Sequence, residues 1–416
     1  MGRKLMCIQG NAVLTAAVIL IICLCAAGCG RPEGEDMQTA ADKNGAYADN
    51  LKPGSGDGRA AAGILLTKDA GGGSKIVWLD DELKPAGGTD YDFSAMYFDG
   101  FRNMCSDGSK VWLFPRGDYE KKNYSKMITL DLGSGTAKKT RTGRTNVTGW
   151  TYADGQIAFS SNENGVCHLD ILSLKTGRKR SMALSDRTVF DLALHGGKLY
   201  GMALTGNLKV RFESYDLENG RAKVLEKLPD SDTPGFLQVY KDDILFVSDG
   251  ELVRYDTETG DAGKVRLTRD DAYNLNLSGD TLWIAYTDVF GSSGQSSLIE
   301  ARDAANGDIL AQCGIEGPVV QMEVTAPAGN TDETSGQEES LLWILGERSL
   351  SRYSFTGDDI KLKDEIGEGE YRQKGYDTGG IVVVDRQYGG LSEEEALELN
   401  GELVDKADRM EVMPDK

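Results

Sequence analysis

Apolar residues in this chain come in short consecutive runs, with neither helical spacing nor strict alternation. The order is plainest between Lys241 and Gly260. Ile244 to Val247 is a β-prone run, Asp249-Gly250 a two-residue turn signal, Leu252 to Tyr255 a second run, and Asp256 to Gly260 a further turn. This predicts a hairpin with Asp-Gly in a type I′ turn, because both central residues must reach positive φ, which Asp tolerates and Gly accepts freely. Runs such as Ile244 to Val247 and Leu282 to Tyr286 are apolar at successive positions, so both faces of those strands must be covered. An amphipathic helical pattern is nearly absent before residue 391.

The unit recurs. The turn that ends the second hairpin strand reaches its glycine at Gly135, Gly177, Gly220, Gly260, Gly307 and Gly357, at intervals of 42, 43, 40, 47 and 50 residues. A period in the forties with about four strand signals predicts an all-β fold, a β-propeller of four-stranded blades. Units beginning near residues 64, 91, 144, 186, 232, 270 and 318 make seven blades, with six or eight as alternatives if unit six or seven is miscounted. An aromatic sits at one offset in six units, as Trp112, Phe159, Tyr200, Phe246, Trp283 and Trp343. These side chains are expected to fill the space between blades; an aromatic ligand platform is the alternative. The first unit offers only three strands, Ile64 to Thr67, Lys75 to Asp80 and Leu83 to Ala86, so a strand near Gly369 to Asp377 is expected to close it.

The turn position two residues into the motif carries Asp131, Asp216, Asp256 and Asp303, with Ser173 and Ser354 elsewhere. Asp and Ser both bond nearby backbone in Asx and ST turns, so their exchange fits turn chemistry better than metal ligation. The pattern hydrophobic-Asp-x-x-(Thr/Asn)-Gly resembles the quinoprotein-like and WD40-like repeats of bacterial propellers over roughly residues 64 to 380. That resemblance implies the fold. Quinoprotein-type repeats carry a docking tryptophan a few residues after this glycine, whereas Gly177, Gly220 and Gly260 are followed by RKRSMAL, RAKVLEKL and DAGKVRL, so no cofactor is expected.

Residues 326–339 form a polar insertion between strands, expected to be a surface loop. After residue 380 the pattern changes. Ile381 to Val384 reads as a strand, Ser392 with Glu395 as a capping box opening a helix over Glu393 to Lys406, and Arg409 to Met413 as a further strand. Residues 381–416 are therefore read as a short C-terminal α/β appendage after a propeller spanning 63–380. Their likeness to the start of bacterial solute-binding lipoproteins leaves open a truncated relative of a propeller-containing member of that group.

At the other end, Arg3 and Lys4 precede the apolar stretch Ala12 to Leu24, and Ala26-Ala27-Gly28 leads to Cys29. The apolar stretch is shorter than a spanning helix requires, and its small-residue flank suits cleavage. The segment resembles a bacterial lipoprotein signal, with Ala26 where that family usually has leucine. The resemblance implies a signal peptide over 1–28 and acylation of Cys29, which anchors the chain to membrane lipid; a simple cleaved signal or an uncleaved anchor are the alternatives. Residues 29–62 are small and polar and read as a tether, whose root-mean-square span would be on the order of 30 Å. The site implied is the outer face of the cytoplasmic membrane, or the periplasm or outer membrane in a cell with two membranes.

Loss of residues 1–28 leaves 44 Lys and Arg against 66 Asp and Glu, a net charge of −22. Such a surface repels phosphate backbones, so no nucleic acid partner is expected. Beyond Cys29, the cysteines Cys105, Cys167 and Cys313 make an odd set, which reads as free thiols with a Cys105–Cys167 bridge as the alternative.

Chemistry is sparse. The two histidines are His168, within a strand signal, and His195, beside the turn Gly196-Gly197; neither lies in a nucleophile motif, and both read as structural. No zinc, P-loop or dinucleotide motif occurs. Ser106 to Ser109 and Ser278 to Thr281 only approach an Asp-box spacing, and Asp230-Ser231-Asp232 lacks the remaining acids of a calcium loop. No catalytic, cofactor or metal residue is assigned. The function read is a lipid-anchored scaffold whose propeller binds an unidentified protein or small molecule. The alternative is a propeller lyase, lactonase or glycosidase using carboxylates that converge on the channel, so enzymatic activity stays open with binding favoured.

Overall fold

The computed structural model describes residues 61–67, 74–80, 82–91, 104–106, 110–114, 126–131, 136–144, 147–229, 235–287, 296–325, 340–372 and 376–383. Within them lie seven four-stranded antiparallel sheets, the blades of a β-propeller. Blade 1 is built from residues 62–91 with 377–383, and blades 2 to 7 from 104–141, 147–184, 187–227, 235–266, 272–315 and 319–367. The first strand of each of blades 2 to 7 is innermost, and the strand Asp377–Val383 takes that place in blade 1.

The local signals act as the sequence predicts. Asp249 and Gly250 have φ of 52° and 68°, and Asp154-Gly155, Asn164-Gly165 and Gly196-Gly197 repeat that left-handed pair. In blade 5 the turn expected at Asp242-Asp243 sits one residue earlier, with Lys241 at φ 54°, because Asp243 already pairs with Asp256 in the ladder. The turn residues cap their own backbone. Asp216 Oδ1 accepts from the amides of Glu218 and Asn219, Asp256 Oδ1 from those of Glu258 and Thr259, Asp303 Oδ1 from that of Ala305, and Ser173 Oγ from that of Thr176. These bonds are the Asx and ST turns expected of that position.

All six residues of Asp243–Ser248 are buried, as a strand sandwiched between blades requires. The recurring aromatics are the wedges between blades, and none of the six is more than 3 % exposed. Trp112 stacks on Tyr152 of blade 3 at 4.5 Å between ring centroids; Phe212 of blade 4, beside Tyr200, meets Phe246 of blade 5 at 4.8 Å. Trp283 of blade 6 meets Phe355 of blade 7 edge-on at 4.9 Å, and Trp343 packs with Ile64, Val77 and Ile381 of blade 1. In blade 1 the buried indole is Trp78, 1 % exposed, which lies on the third strand from the axis, one strand farther out than the other six aromatics. Its bulk needs Gly63 opposite, since a Cβ there would lie 2.7 Å from the indole.

Ring closure follows the expected scheme with two corrections: the stretch from Gly369, expected to close the ring, opens instead in the helix Glu368–Tyr371, and the closing strand starts only at Asp377. The closing strand is Asp377–Val383, pairing antiparallel with Ala62–Thr67, so Ile381 to Val383 belong to the propeller and not to an appendage. Gly379 and Gly380 gave the first half of that strand little β signal, and the boundary at 380 cut it in two. For the same reason the outermost strand of blade 1 is Pro85–Tyr91, longer than expected, and the next unit starts beyond residue 91. Gly87 and Gly88 lie within it, and Gly88 admits the close approach of Lys75. The candidate helix and strand after residue 384, the 326–339 insertion and Cys29 lie outside the described residues. Cys167 is a buried free thiol and Cys313 a half-buried one.

A second ring of contacts is polar. A β-bulge interrupts the innermost strand at the same level in six blades, between Val147 and Gly149, Val189 and Asp191, Gly235 and Gln238, Ala272 and Asn274, Val319 and Gln321, and in the closing strand opposite Leu65 and Leu66. Bulges re-aim side chains. At or near them, polar groups reach the backbone of the next innermost strand. Thr148 Oγ1 donates to Val189 O at 2.9 Å, Asp191 Oδ2 accepts from Leu237 N at 3.0 Å, Gln238 Nε2 donates to Leu275 O at 3.0 Å, and Asn276 donates to Met322 O. The series ends at closure, where Gln321 Nε2 donates to Ile381 O and its Oε1 accepts from Ile381 N, both at 2.9 Å.

Gln321→Ala strips both partners from the Ile381 peptide groups. It is expected to lower stability by about 2 kcal/mol in denaturant titration and to speed amide exchange at Ile381 more than at Leu275; unchanged exchange at Ile381 would count against the amide as the closing stitch.

Candidate functional site

The two ends of the propeller differ. At one end the first and second strands of blades 3 to 6 are joined by two-residue turns, and in blades 3, 5 and 6 backbone bonds tie these to the adjacent third-to-fourth-strand turns: Leu174 N donates to Gly155 O, Thr257 N to Asp242 O, and Ala304 N to Asp280 O; at the same end of blade 7, Thr325 and Ser340 are joined by the 326–339 insertion. Side chains join neighbouring blades there. Tyr240 OH donates to Asp280 at 2.7 Å, Lys241 Nζ lies 3.1 Å from the same carboxylate, and His195 Nε2 lies 3.6 Å from Asp242. Ala62 pairs with Val383 at this end, so the chain enters and leaves the propeller side by side.

At the opposite end, where blade 7 meets the closing strand of blade 1, lies a cavity of about 520 Å³ lined by Val320, Gly346, Glu347, Arg348, Glu368, Arg372 and Thr378. Val320 and Thr378 come from innermost strands, so the cavity opens beside the axis, over the Gln321 stitch. Gly346 to Arg348 form the turn between the second and third strands of blade 7. The short helix Glu368–Tyr371 and Arg372 form the other wall.

The charges in this wall are of two kinds. Arg372 is committed: it donates to Tyr376 O at 2.6 Å, to Asp377 Oδ1 at 2.6 Å and to Glu368, holding the segment that leads into the closing strand. Glu347 and Arg348 are exposed and carry no ion pair among the described residues. Below the cavity the hydroxyls of Tyr371 and Thr378 adjoin each other, but neither reaches hydrogen-bond geometry with any described group. Burial pushes the Tyr371 phenol up to about 12, so it stays a neutral hydroxyl. Among the described residues the lining therefore offers carboxylate acceptors and guanidinium donors in equal number, with Val320 as the one apolar side chain.

Sequence reading named no residue of this cavity, because its walls come from segments 320, 346–348, 368–372 and 378, which break the repeat. The residues it did weigh are placed elsewhere. His168 lies in the strand Val166–Ser173, with Nε2 4.0 Å from Glu163. Ser278 and Thr281 flank a hairpin turn, and residues 230–234 lie outside the described set. Of the inner-strand carboxylates, Asp191 serves the Leu237 amide, and Glu323 accepts from Gln321 Nε2 at 2.8 Å. No group of three metal-ligating side chains occurs among the described residues, and no described helix is long and apolar enough to cross a membrane.

Sequence reading also passed over a second recurrence. Three residues before Ser173, Asp216 and Asp303 stand Asp170, Glu213 and Glu300, all fully buried and each paired with an arginine. Arg144 Nε lies 2.7 Å from Asp170, Arg187 Nη1 2.5 Å from Glu213, and Arg302 Nη2 2.8 Å from Glu300. Burial opposes ionisation of Glu300, but hydrogen bonds from Thr268, Tyr286, Gln312 and Arg302 outweigh it and hold the carboxyl below its usual range. The Glu213 and Glu300 pairs lie within their own blades, and Arg144 reaches Asp170 from the segment that leads into blade 3; the alignment of the turn aspartates contained the signal for these acids.

The closed ring defines the class: the protein is a seven-bladed β-propeller. No family model matches the chain, and no curated protein matches its sequence. Among solved structures, the chain is similar in fold to a 6-phosphogluconolactonase candidate from Bacteroides uniformis, with 12 % identity, 74 % of this chain and 96 % of that chain covered, and a TM-score of 0.50. It is also similar to BamB from Moraxella catarrhalis, at 12 % identity, 79 % and 99 % coverage and a TM-score of 0.40. At such identities the likeness is one of fold.

Two outcomes are expected of the buried charges. Arg302→Ala leaves Glu300 buried without its guanidinium and should cost about 3–5 kcal/mol in denaturant titration, whereas Lys361→Ala, which removes only an exposed pair with Asp359, should leave the midpoint nearly unchanged. Burial and the Arg144 charge hold the His168 imidazole below its ordinary value, so the folded state binds its proton less readily than the unfolded chain. Stability from this group is present above the ordinary histidine range and is lost as pH falls through the lowered value. His168→Gln is therefore expected to shrink the loss of stability on acidification below about pH 6.5; an unchanged pH profile would assign that loss to other groups.

Proposed function

We propose that this protein is a membrane-anchored extracytoplasmic lipoprotein, acylated at Cys29, whose propeller is a rigid scaffold that binds a protein or small-molecule ligand at the cavity between blades 7 and 1. The observation that carries the binding reading is the cavity at the end of the ring remote from Ala62 and Val383. It is a concave polar site with the Glu347 carboxylate and the Arg348 guanidinium, both without an ion pair among the described residues, at its rim. Concave sites with a few convergent polar groups on a stiff frame are where ligands bind.

Support for anchoring comes from the Ala26-Ala27-Gly28-Cys29 segment and the small polar stretch that follows it. The connection from Cys29 reaches the ring at Ala62, at the end remote from the cavity. An anchor at that end leaves the cavity accessible. Inner-strand carboxylates favour no catalytic reading, because Asp191 and Glu323 are both engaged in hydrogen bonds to neighbouring strands or side chains.

In cells fed an alkyne fatty acid, the wild-type chain is expected to take up the label and sediment with membranes, and Cys29→Ala to lose the label and move to the soluble fraction; tight membrane retention of the unlabelled variant would reject acyl anchoring. Purified chain is expected to turn over no lactone or glycoside. Hydrolysis abolished by Glu323→Gln would replace the binding reading with a catalytic one.

A further inference from the structure

The outermost strand of every blade is a sheet edge, with one side of its backbone unpaired by any described strand. Such edges recruit other strands unless charge or proline blocks them. Six of the seven are blocked in that way. Pro85–Tyr91 opens on a proline and holds Asp90, and the outermost strands of blades 2 to 5 and 7 carry Lys138, Lys179, Lys223, Lys264 and Lys361 among their charges. Ile309–Ile315 of blade 6, ILAQCGI, has neither a charged residue nor a proline.

The faces of this strand are covered and its edge is not. Ala311, Cys313 and Ile315 pack with Tyr353 and Ile360 of blade 7, and Gln312 donates to the buried Glu300. On one side the strand pairs with Ser297–Asp303, and on the other it pairs with no described strand. A bulge leaves Leu310 unopposed, and Ile309 and Leu310 are 47 % and 38 % exposed. Over residues 311–315 the ladder is regular, so the outward N–H and C=O groups along that stretch keep strand spacing.

The charges that bracket the strand select its occupant. Asp308 and Glu316, both exposed, stand one at each end and carry no ion pair among the described residues. A second copy of this chain, added antiparallel in full overlap about Gln312, would set Asp308 opposite Glu316 at both ends, and like charges directly opposite destabilise a ladder. A segment with a basic residue at each end makes two favourable pairs instead. In strand geometry those two acids are roughly 25 Å apart.

We propose that the edge of blade 6 takes an added fifth strand from a partner protein, an extended segment that is uncharged along the length of Ile309–Ile315 and basic at both ends. Main-chain hydrogen bonds along residues 311–315 supply affinity, contact with Ile309 and Leu310 covers exposed apolar surface, and pairs with Asp308 and Glu316 set the register. The edge lies on the outer wall of the ring, so its use is independent of the cavity between blades 7 and 1.

The test is amide exchange read by mass spectrometry on the full chain in detergent micelles, with fluorescein-labelled peptides for affinity. KVTVQVTVK is expected to bind and to slow exchange over residues 309–315 and in no other outermost strand, and its copy N-methylated at alternate residues is expected not to bind. Leu310→Lys should weaken binding about ten-fold. Asp308→Asn combined with Glu316→Gln should weaken it about five-fold, and Val224→Lys, on the edge of blade 4, should leave it unchanged. Binding of EVTVQVTVE to the wild-type chain as tight as that of KVTVQVTVK would overturn the basic-ended partner. A dimer in light scattering that is lost in Leu310→Lys would put a second copy on the edge instead. Binding that emerges only after removal of residues 384–416 would assign the edge to the chain's own tail, and no slowing over 309–315 by any peptide would overturn the edge site altogether.

Discussion

Each blade of this protein has two apolar faces and nothing but its neighbours to cover them, so the structure depends on the ring being closed. Closure falls on the pairing of Asp377–Val383 with Ala62–Thr67, which joins the two ends of the propeller in one sheet. Without that strand Ile64, Val77 and Trp343 would lose the cover that Ile381 completes. The cost would not stay local, because an open ring exposes a blade face on either side of the gap. Gln321 reinforces the same junction from blade 7 by bonding both peptide groups of Ile381.

Closure and site are linked. Thr378, on the closing strand, and Val320, on the innermost strand of blade 7, form the cavity, and Arg372 clasps the segment that leads into that strand. A ligand held there touches both sides of the seam. By linkage, anything that binds only the closed ring adds to its stability. At the other end, blades 3 to 6 turn between their first and second strands in two residues, and in blades 3, 5 and 6 these turns bond to neighbouring third-to-fourth-strand turns, of which that of blade 5 is capped by Asp256.

The buried charges make a further layer. Asp170, Glu213 and Glu300 recur at one position, and each meets an arginine, from its own blade for Glu213 and Glu300 and from the segment leading into the blade for Asp170. Blade 5 has Val253 at that place and substitutes an Arg254–Asp243 pair one residue along, while blade 7 pairs Arg352 with Asp364. Such pairs are weak sources of net stability but costly to break, so they penalise wrong strand pairings more than they strengthen the right one.

Much of this was legible in the linear chain. The period of the turn glycines, the doubly apolar runs and the aromatic at a fixed offset determine a propeller with four strands to a blade, because strand, turn and wedge are all short-range patterns. The Asp-Gly and Asx turns are equally local, and their dihedrals and hydrogen bonds follow from residue type. Only the tertiary structure decided the rest. The weak β signal of Gly87, Gly88, Gly379 and Gly380 is overridden by pairing with partners distant in sequence. The bulges turn Asp191, Gln238 and Gln321 toward the next blade, a direction that no spacing encodes. The cavity gathers Val320, Arg348, Arg372 and Thr378 from segments outside the repeat, and a periodic reading finds only what repeats. Geometry at a seam, where the two ends of a chain meet, is set by closure of the whole ring and so is written in no single stretch of it.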